Sequence, residues 1–169
     1  MTESNRVLGL DSQLHHFDHL QDCLDLTHCL LQQARRQIYI LTPDLEFGFY
    51  DQPMLVDQLS ALLRRSRYTQ AKVLIGDIKP AVGRSHALRD LAERLPSKIQ
   101  MRVVNKDYPS SDNAWLLADN SGLMFRKDPH LYKGFVSFQH PARNQQLQQE
   151  FQRMWDYAFE SPELRRLGI

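Results

Sequence analysis

The order of apolar runs along the chain predicts an α/β fold, a mixed and largely parallel sheet flanked by helices. Gln37-Ile38-Tyr39-Ile40-Leu41-Thr42 is apolar and β-branched without alternation, as suits a strand buried on both faces, and Ala71 to Ile78 reads as a second buried strand. Each is followed by apolar residues at three- and four-residue spacing, the mark of an amphipathic helix, so the first strands should lie parallel with right-handed crossovers. After a third strand the pattern changes to two short apolar runs about a tight turn, Trp115 to Ala118 and Leu123 to Phe125.

At 169 residues, 42% hydrophobic and 24% charged, the chain fits one domain over residues 1–169 with room for a core. A formal net charge of +1 argues against a protein whose main business is coating nucleic acid, while leaving room for a local basic patch. Cys23 and Cys29 lie six positions apart in a helical segment, too poorly placed to bridge, and are read as reduced thiols of a cytoplasmic protein. The first residues lack an apolar signal-type region, and no run approaches membrane-spanning length.

In chain order, Arg6 to Leu10 reads as a short strand ended by a turn at Gly9-Leu10-Asp11-Ser12. Leu14, Phe17, Leu20, Leu24, Leu31 and Ala34 then define one long helix at about 12–36, closed by Arg35 and Arg36 where the helix dipole favours cations. On it His15 and His19 stand at i and i+4, with Asp22 three further on. That spacing suits metal ligands, but no matching cluster occurs elsewhere, so a solvated polar face is expected and no metal.

The strand 37–42 ends at Pro43-Asp44, and Phe47, Phe49 and Tyr50 around Gly48 follow as a loop past its C-terminal end, the edge where open α/β sheets bind ligands. The aromatics are expected to fold over the core as a lid. Asp51 should cap a helix faced by Leu55, Val56, Leu59, Leu62 and Leu63, ending at Arg64-Arg65-Ser66-Arg67. Leu88, Leu91, Ala92 and Leu95 define the next helix, and Ile99 to Val104 the third strand. A polar loop over 105–112 leads to the hairpin, then come a strand over Gly134 to Phe138, a final helix at about 141–160 and a short tail over 162–169.

Asp119 ends the first hairpin strand, where a sheet presents a side chain to a ligand. A second candidate is Gly83-Arg84-Ser85-His86, a glycine turn at a helix start, where free backbone N–H groups suit an anion and Arg84 and Ser85 would assist. The plainer reading makes Ser85 an N-cap and His86 a surface residue.

The succession of elements, with Tyr39-Ile40-Leu41-Thr42-Pro43-Asp44, Leu59-Ser60-Ala61-Leu62-Leu63-Arg64-Arg65 and Ala71-Lys72-Val73-Leu74-Ile75, resembles one half of the phospholipase D superfamily. Leu45-Glu46, Ser66-Arg67, Leu116-Leu117-Ala118-Asp119 with Gly122, and Tyr132, Gly134, Phe138, Pro141-Ala142-Arg143, Phe151 and Trp155 resemble more closely an uncharacterised bacterial family of phospholipase D-like domains, found alone or fused to GNAT-type acetyltransferases. The resemblance covers roughly residues 35–167 and implies a homodimer paired across the face bearing the hairpin strand.

It also implies a motif of His, Lys two positions on and Asp five after that, the His attacking phosphorus and the Lys stabilising phosphoryl charge. With Asp119 as its last member, Asp112 stands in the His position and Ala114 in the Lys position. Shifting by one puts Asn113, Trp115 and Asn120 there. A carboxylate at the nucleophile position repels phosphate, and losing one charge stabiliser costs about 100- to 1000-fold in rate. No nucleophile elbow, P-loop or Cys-x-x-Cys offers other chemistry or calls for a cofactor.

The expectation is therefore a catalytically degenerate domain, a pseudoenzyme, that binds a protein partner or a phosphate-bearing ligand such as nucleic acid. Its ligand-binding candidates are Arg84, Ser85, His86, Asp119 and Arg126, and its basic side chains Arg35, Arg36, Arg64, Arg65, Arg67, Lys72, Arg126, Lys127 and Lys133 are candidates for a patch. The alternative is a divergent phosphodiesterase or nuclease using His86, or a histidine brought by dimerisation, as nucleophile.

Overall fold

The computed structural model describes residues 6–108 and 112–165. Their elements are β1 (His15–Phe17), α1 (Leu20–Gln33), β2 (Gln37–Thr42), α2 (Pro53–Arg65), β3 (Gln70–Ile75), α3 (Ala87–Arg94), β4 (Ile99–Val103), β5 (Ala114–Ala118), β6 (Gly122–Arg126), β7 (Gly134–Ser137), α4 (Pro141–Tyr157) and α5 (Pro162–Arg165). The seven strands form one sheet in the order β1-β7-β6-β5-β2-β3-β4. The expected α/β architecture with a mixed sheet is present, but its parallel part is confined to β2-β3-β4. The β1–β7, β7–β6, β6–β5 and β5–β2 pairs are antiparallel, so the sheet is less parallel than the early βαβ pattern suggested.

Two apolar layers follow from the two-residue period of the strands. Ile38 and Ile40 of β2, Val73 and Ile75 of β3 and Leu116 of β5 face α1, α2 and α3. Leu41, Leu74, Trp115 and Leu117 point the other way and meet Phe151, Met154 and Trp155 of α4. All five residues of β5 are buried, as expected of a strand covered on both faces.

Four local readings are corrected. Residues 6–10 form no strand. The long helix at 12–36 divides, because β7 offers an open edge that His15, His16 and Phe17 pair with, while His19 adopts extended backbone and its Nδ1 accepts the Asp22 N–H to start α1. Asp51 does not cap α2; Gln52 holds that position without a side-chain bond, and Asp51 Oδ1 accepts from Ala87 N at 2.7 Å. Arg35 and Arg36 lie beyond the last turn of α1, which carries no basic residue. Of the tail expected over 162–169, Pro162–Arg165 is a short helix and 166–169 lie outside the described residues.

Gly134 begins β7 where the strand crosses β6, and a Cβ there would lie 1.9 Å from Phe125 O. Backbone cannot yield as a flexible side chain does. Gly134→Ala is expected to cost about 3 kcal/mol or more in denaturant unfolding, whereas Gly48→Ala, with nothing within 4 Å, should be near neutral in the same assay.

Candidate functional site

β2 and β3 end, and β5 begins, at one edge of the sheet, and a cleft of about 1170 Å³ opens there. Its walls come from Leu41, Val104, Phe125, Leu131 and Phe135, with Thr42, Pro43, Gly76 and Asp77 at the strand ends. Charge is brought by loops: Lys106 follows β4, Asp112 precedes β5, and Lys127, Asp128, His130 and Lys133 lie between β6 and β7. Asp77 and Asp128 each serve a turn of their own, accepting the N–H of Lys79 at 3.0 Å and of His130 at 2.9 Å. Asn113 Nδ2 donates to Lys127 O at 3.0 Å and ties the start of β5 to the cation-bearing loop.

Of the residues that the resemblance set against the motif, Asp112 and Asn113 line the cleft, and Ala114 is buried as the first residue of β5. Asp119 stands at the opposite end of β5. Because β5 runs antiparallel to β2, that end meets the start of β2, roughly 20 Å from the cleft at a strand's rise per residue. There its carboxylate accepts three backbone N–H groups, from Arg35 at 2.9 Å, Arg36 at 2.7 Å and Gln37 at 3.1 Å. The bonds explain why α1 gives way to β2 at this point: donors that a continuing helix would use are turned to Asp119. Its φ of 55° lies in the left-handed region that Asp tolerates better than most residues.

His86 is 1% exposed, not a surface residue, and it rather than Ser85 is the N-cap of α3. Its Nδ1 accepts the Leu88 N–H at 3.1 Å, which leaves the proton on Nε2 to be donated to Leu45 O at 2.9 Å. Burial holds the imidazole below its usual 6.5, and protonation would set an Nδ1–H against the Leu88 N–H. Arg84 and Ser85 are exposed beside it, with the Arg84 guanidinium 3.6 Å from the centre of the Phe47 ring, which meets His86 edge-on.

Arg126 is wholly buried. Nη2 pairs with Glu46 Oε1, while Nη1 donates to Pro129 O at 3.3 Å and Leu131 O at 3.2 Å. Glu46 also accepts from Thr42 Oγ1 at 2.8 Å. Burial pushes the Glu46 carboxyl up against the pull of Arg126 and Thr42; on Arg126 burial works downward, but Glu46, Tyr50 and Cys23 together offset it and hold the guanidinium above its usual value. Leu45 and Glu46 hold left-handed backbone, φ 72° and 42°, a strain of roughly 1–3 kcal/mol each that surrounding structure must sustain. His86 on Leu45 O and Arg126 on the Glu46 carboxylate sustain it. The expected lid is partly met, since Phe49 and Tyr50 are buried in the core and Phe47 is half-buried.

His15, His19 and Asp22 do not converge. His15 Nε2 pairs with Asp11 Oδ2 at 2.7 Å, His19 with Asp22, and no cluster of three metal-type ligands occurs among the described residues. The basic residues do not form one patch either. Arg64 and Arg65 end α2, and Arg35 and Arg36 sit at the far end of β2, while Lys127 and Lys133 are in the cleft. Lys106 and His130 were missed, for their loops carry no motif; the one available signal was that the loops leave from the same edge as the C-terminal ends of the parallel strands.

A mixed sheet of this order with helices on both faces is the phospholipase D-like fold. The chain is similar over 88% of its length to Nuc from Salmonella typhimurium, a phospholipase D family member (TM-score 0.63, 12% identity, 96% of that chain), and to NucT from Helicobacter pylori (0.63, 7%, 99%). The archaeal chromatin protein TrmBL2, described with a novel mode of DNA binding, is similar over 88% of this chain and 54% of its own (TM-score 0.63, 17% identity). At such identities the likeness is one of fold. The chain belongs to the family described as Domain of unknown function (DUF7931), whose model matches residues 19–167. No curated protein matches the sequence. No helix among the described residues is long and apolar enough to cross a membrane.

Two outcomes test these placements. Asp119→Asn keeps one acceptor oxygen but sets an amide NH₂ against the Arg35 N–H, so unfolding free energy should fall by about 1–3 kcal/mol. For His86, the folded state favours the neutral ring, so its contribution to stability is full above the unfolded value of 6.5 and is lost as pH falls through the lowered native value. Denaturant midpoints should therefore decline below neutral pH more steeply in the wild type than in His86→Gln.

Proposed function

We propose that this chain is a catalytically degenerate phospholipase D-like domain that binds a phosphate-bearing ligand in the cleft at the strand ends. The observation that supports it is a substitution of means. Asp112 and buried Ala114 occupy the motif's His and Lys positions, while Lys106, Lys127 and Lys133 bring cations to the same cleft from neighbouring loops. The lysines can hold phosphate by charge, but none replaces a nucleophile. Nucleic acid is the first ligand to try, since a structural neighbour is described as binding DNA. The family resemblance adds a homodimer, checked by mass in solution at micromolar concentration.

A second reading keeps catalysis. His130 lines the cleft and is exposed, which makes it a more accessible nucleophile than His86, whose nitrogens both have partners. Turnover of a chromogenic phosphodiester that disappears in His130→Ala would establish this reading in place of the first.

Under the binding reading the purified chain gives no turnover and binds a short fluorescein-labelled oligothymidylate with affinity that falls as salt rises. Lys127→Gln/Lys133→Gln should reduce the slope of log affinity against log salt by about 1.4, at about 0.7 per phosphate contact on a single strand. An unchanged slope would remove these lysines from the ligand site.

A further inference from the structure

We infer that Arg126 is a positioning residue for the cleft: through Glu46 it braces the loop carrying Lys127, His130 and Lys133 against the loop that follows β2. Its effect on ligand rests on the phosphate-binding reading, but its geometry does not.

A buried ion pair is weak evidence of a stabilising role, because an apolar pair of similar volume often serves stability as well. What an apolar pair lacks is direction. The Arg126 guanidinium, 0% exposed, faces three acceptors at once: the Glu46 carboxylate on one side, and Pro129 O and Leu131 O on the other. Those carbonyls belong to the cation-bearing loop, and Glu46 belongs to the segment with two successive left-handed residues. Thr42, which donates to Glu46, itself lines the cleft. Tyr132, the next residue after Leu131, packs on the same guanidinium with its ring centre 4.8 Å away, a third contact between Arg126 and this loop.

Both walls of the cleft are thus tied to one side chain that is sealed from ligand. The cost of ordering the loop is then met on folding rather than on binding, which is how preorganisation raises affinity. A lysine in place of Arg126 keeps the charge for Glu46 but has one nitrogen, which cannot span all three acceptors.

Amide hydrogen exchange and oligothymidylate binding on the full chain test the brace. In Arg126→Lys, exchange across 127–134 should rise about tenfold while β2 and β5 keep their protection, and affinity should fall about tenfold. The salt slope should not change, because no phosphate-facing cation is removed. Unchanged exchange in 127–134, or an equal rise through β2 and β5, would overturn the inference and leave Arg126 as core filling. If Arg126→Lys does not fold, Glu46→Gln, which keeps an acceptor oxygen, should raise exchange across 127–134 in the same way, and unchanged exchange there, or an equal rise through β2 and β5, overturns the inference. Should the wild type not bind the oligothymidylate, the phosphate-binding reading fails by itself, and the exchange data still decide the brace.

Discussion

The buried Glu46–Arg126 pair is the constraint on which the cleft edge of this molecule depends. It joins β6 to the loop after β2 across the sheet, and it sits among Thr42, Tyr50, Tyr132 and Cys23, whose thiol burial pushes up to about 12. Removing either partner would leave an uncompensated charge in the core, a loss of about 3–5 kcal/mol in comparable cases. The same pair sustains left-handed backbone at Leu45 and Glu46, which neither residue would adopt unaided.

At the other end of the sheet Asp119 plays a matching part. Its carboxylate gathers the backbone N–H groups of Arg35, Arg36 and Gln37, and Asn144 and Gln148 of α4 donate to its carbonyl oxygen, each at 3.2 Å. One residue therefore holds α1, β2, β5 and α4 in register. Asp119 has this structural task, while at the other end of the strand Asp112 lines the cleft and Ala114 is buried. The cleft and this junction thus lie at opposite ends of β5.

The charged side chains of the cleft come from its loops and not from its strands. Ala114, the first residue of β5, is sealed in the core, and Asp112 and Asn113 just before it line the cleft. Cations are carried by Lys106, Lys127 and Lys133, on loops whose positions are set by the strands they connect.

The central strands, the helices after them and the hairpin were legible in the sequence, because doubly buried strands and amphipathic helices leave periodic apolar patterns that no partner need supply. β2 has the boundaries that its apolar run indicates. The short strand His15–Phe17 was hidden, since three residues that pair with a neighbour's open edge have no period of their own and its apolar positions also fit a helix. Antiparallel pairing of β5 with β2 was equally hidden, and with it which end of the hairpin faces the cleft. The sequence by itself determined that Asp stands at 112 and Ala at 114, since identity is local. Only the tertiary structure decided that Asp119, His86 and Arg126 are held by partners within the chain, 82 to 84, 41 and 80 residues away along it, and that lysines from separate loops share the cleft. Charge and hydrogen-bonding capacity are written in each residue; the partner that uses them is set by packing across the sheet.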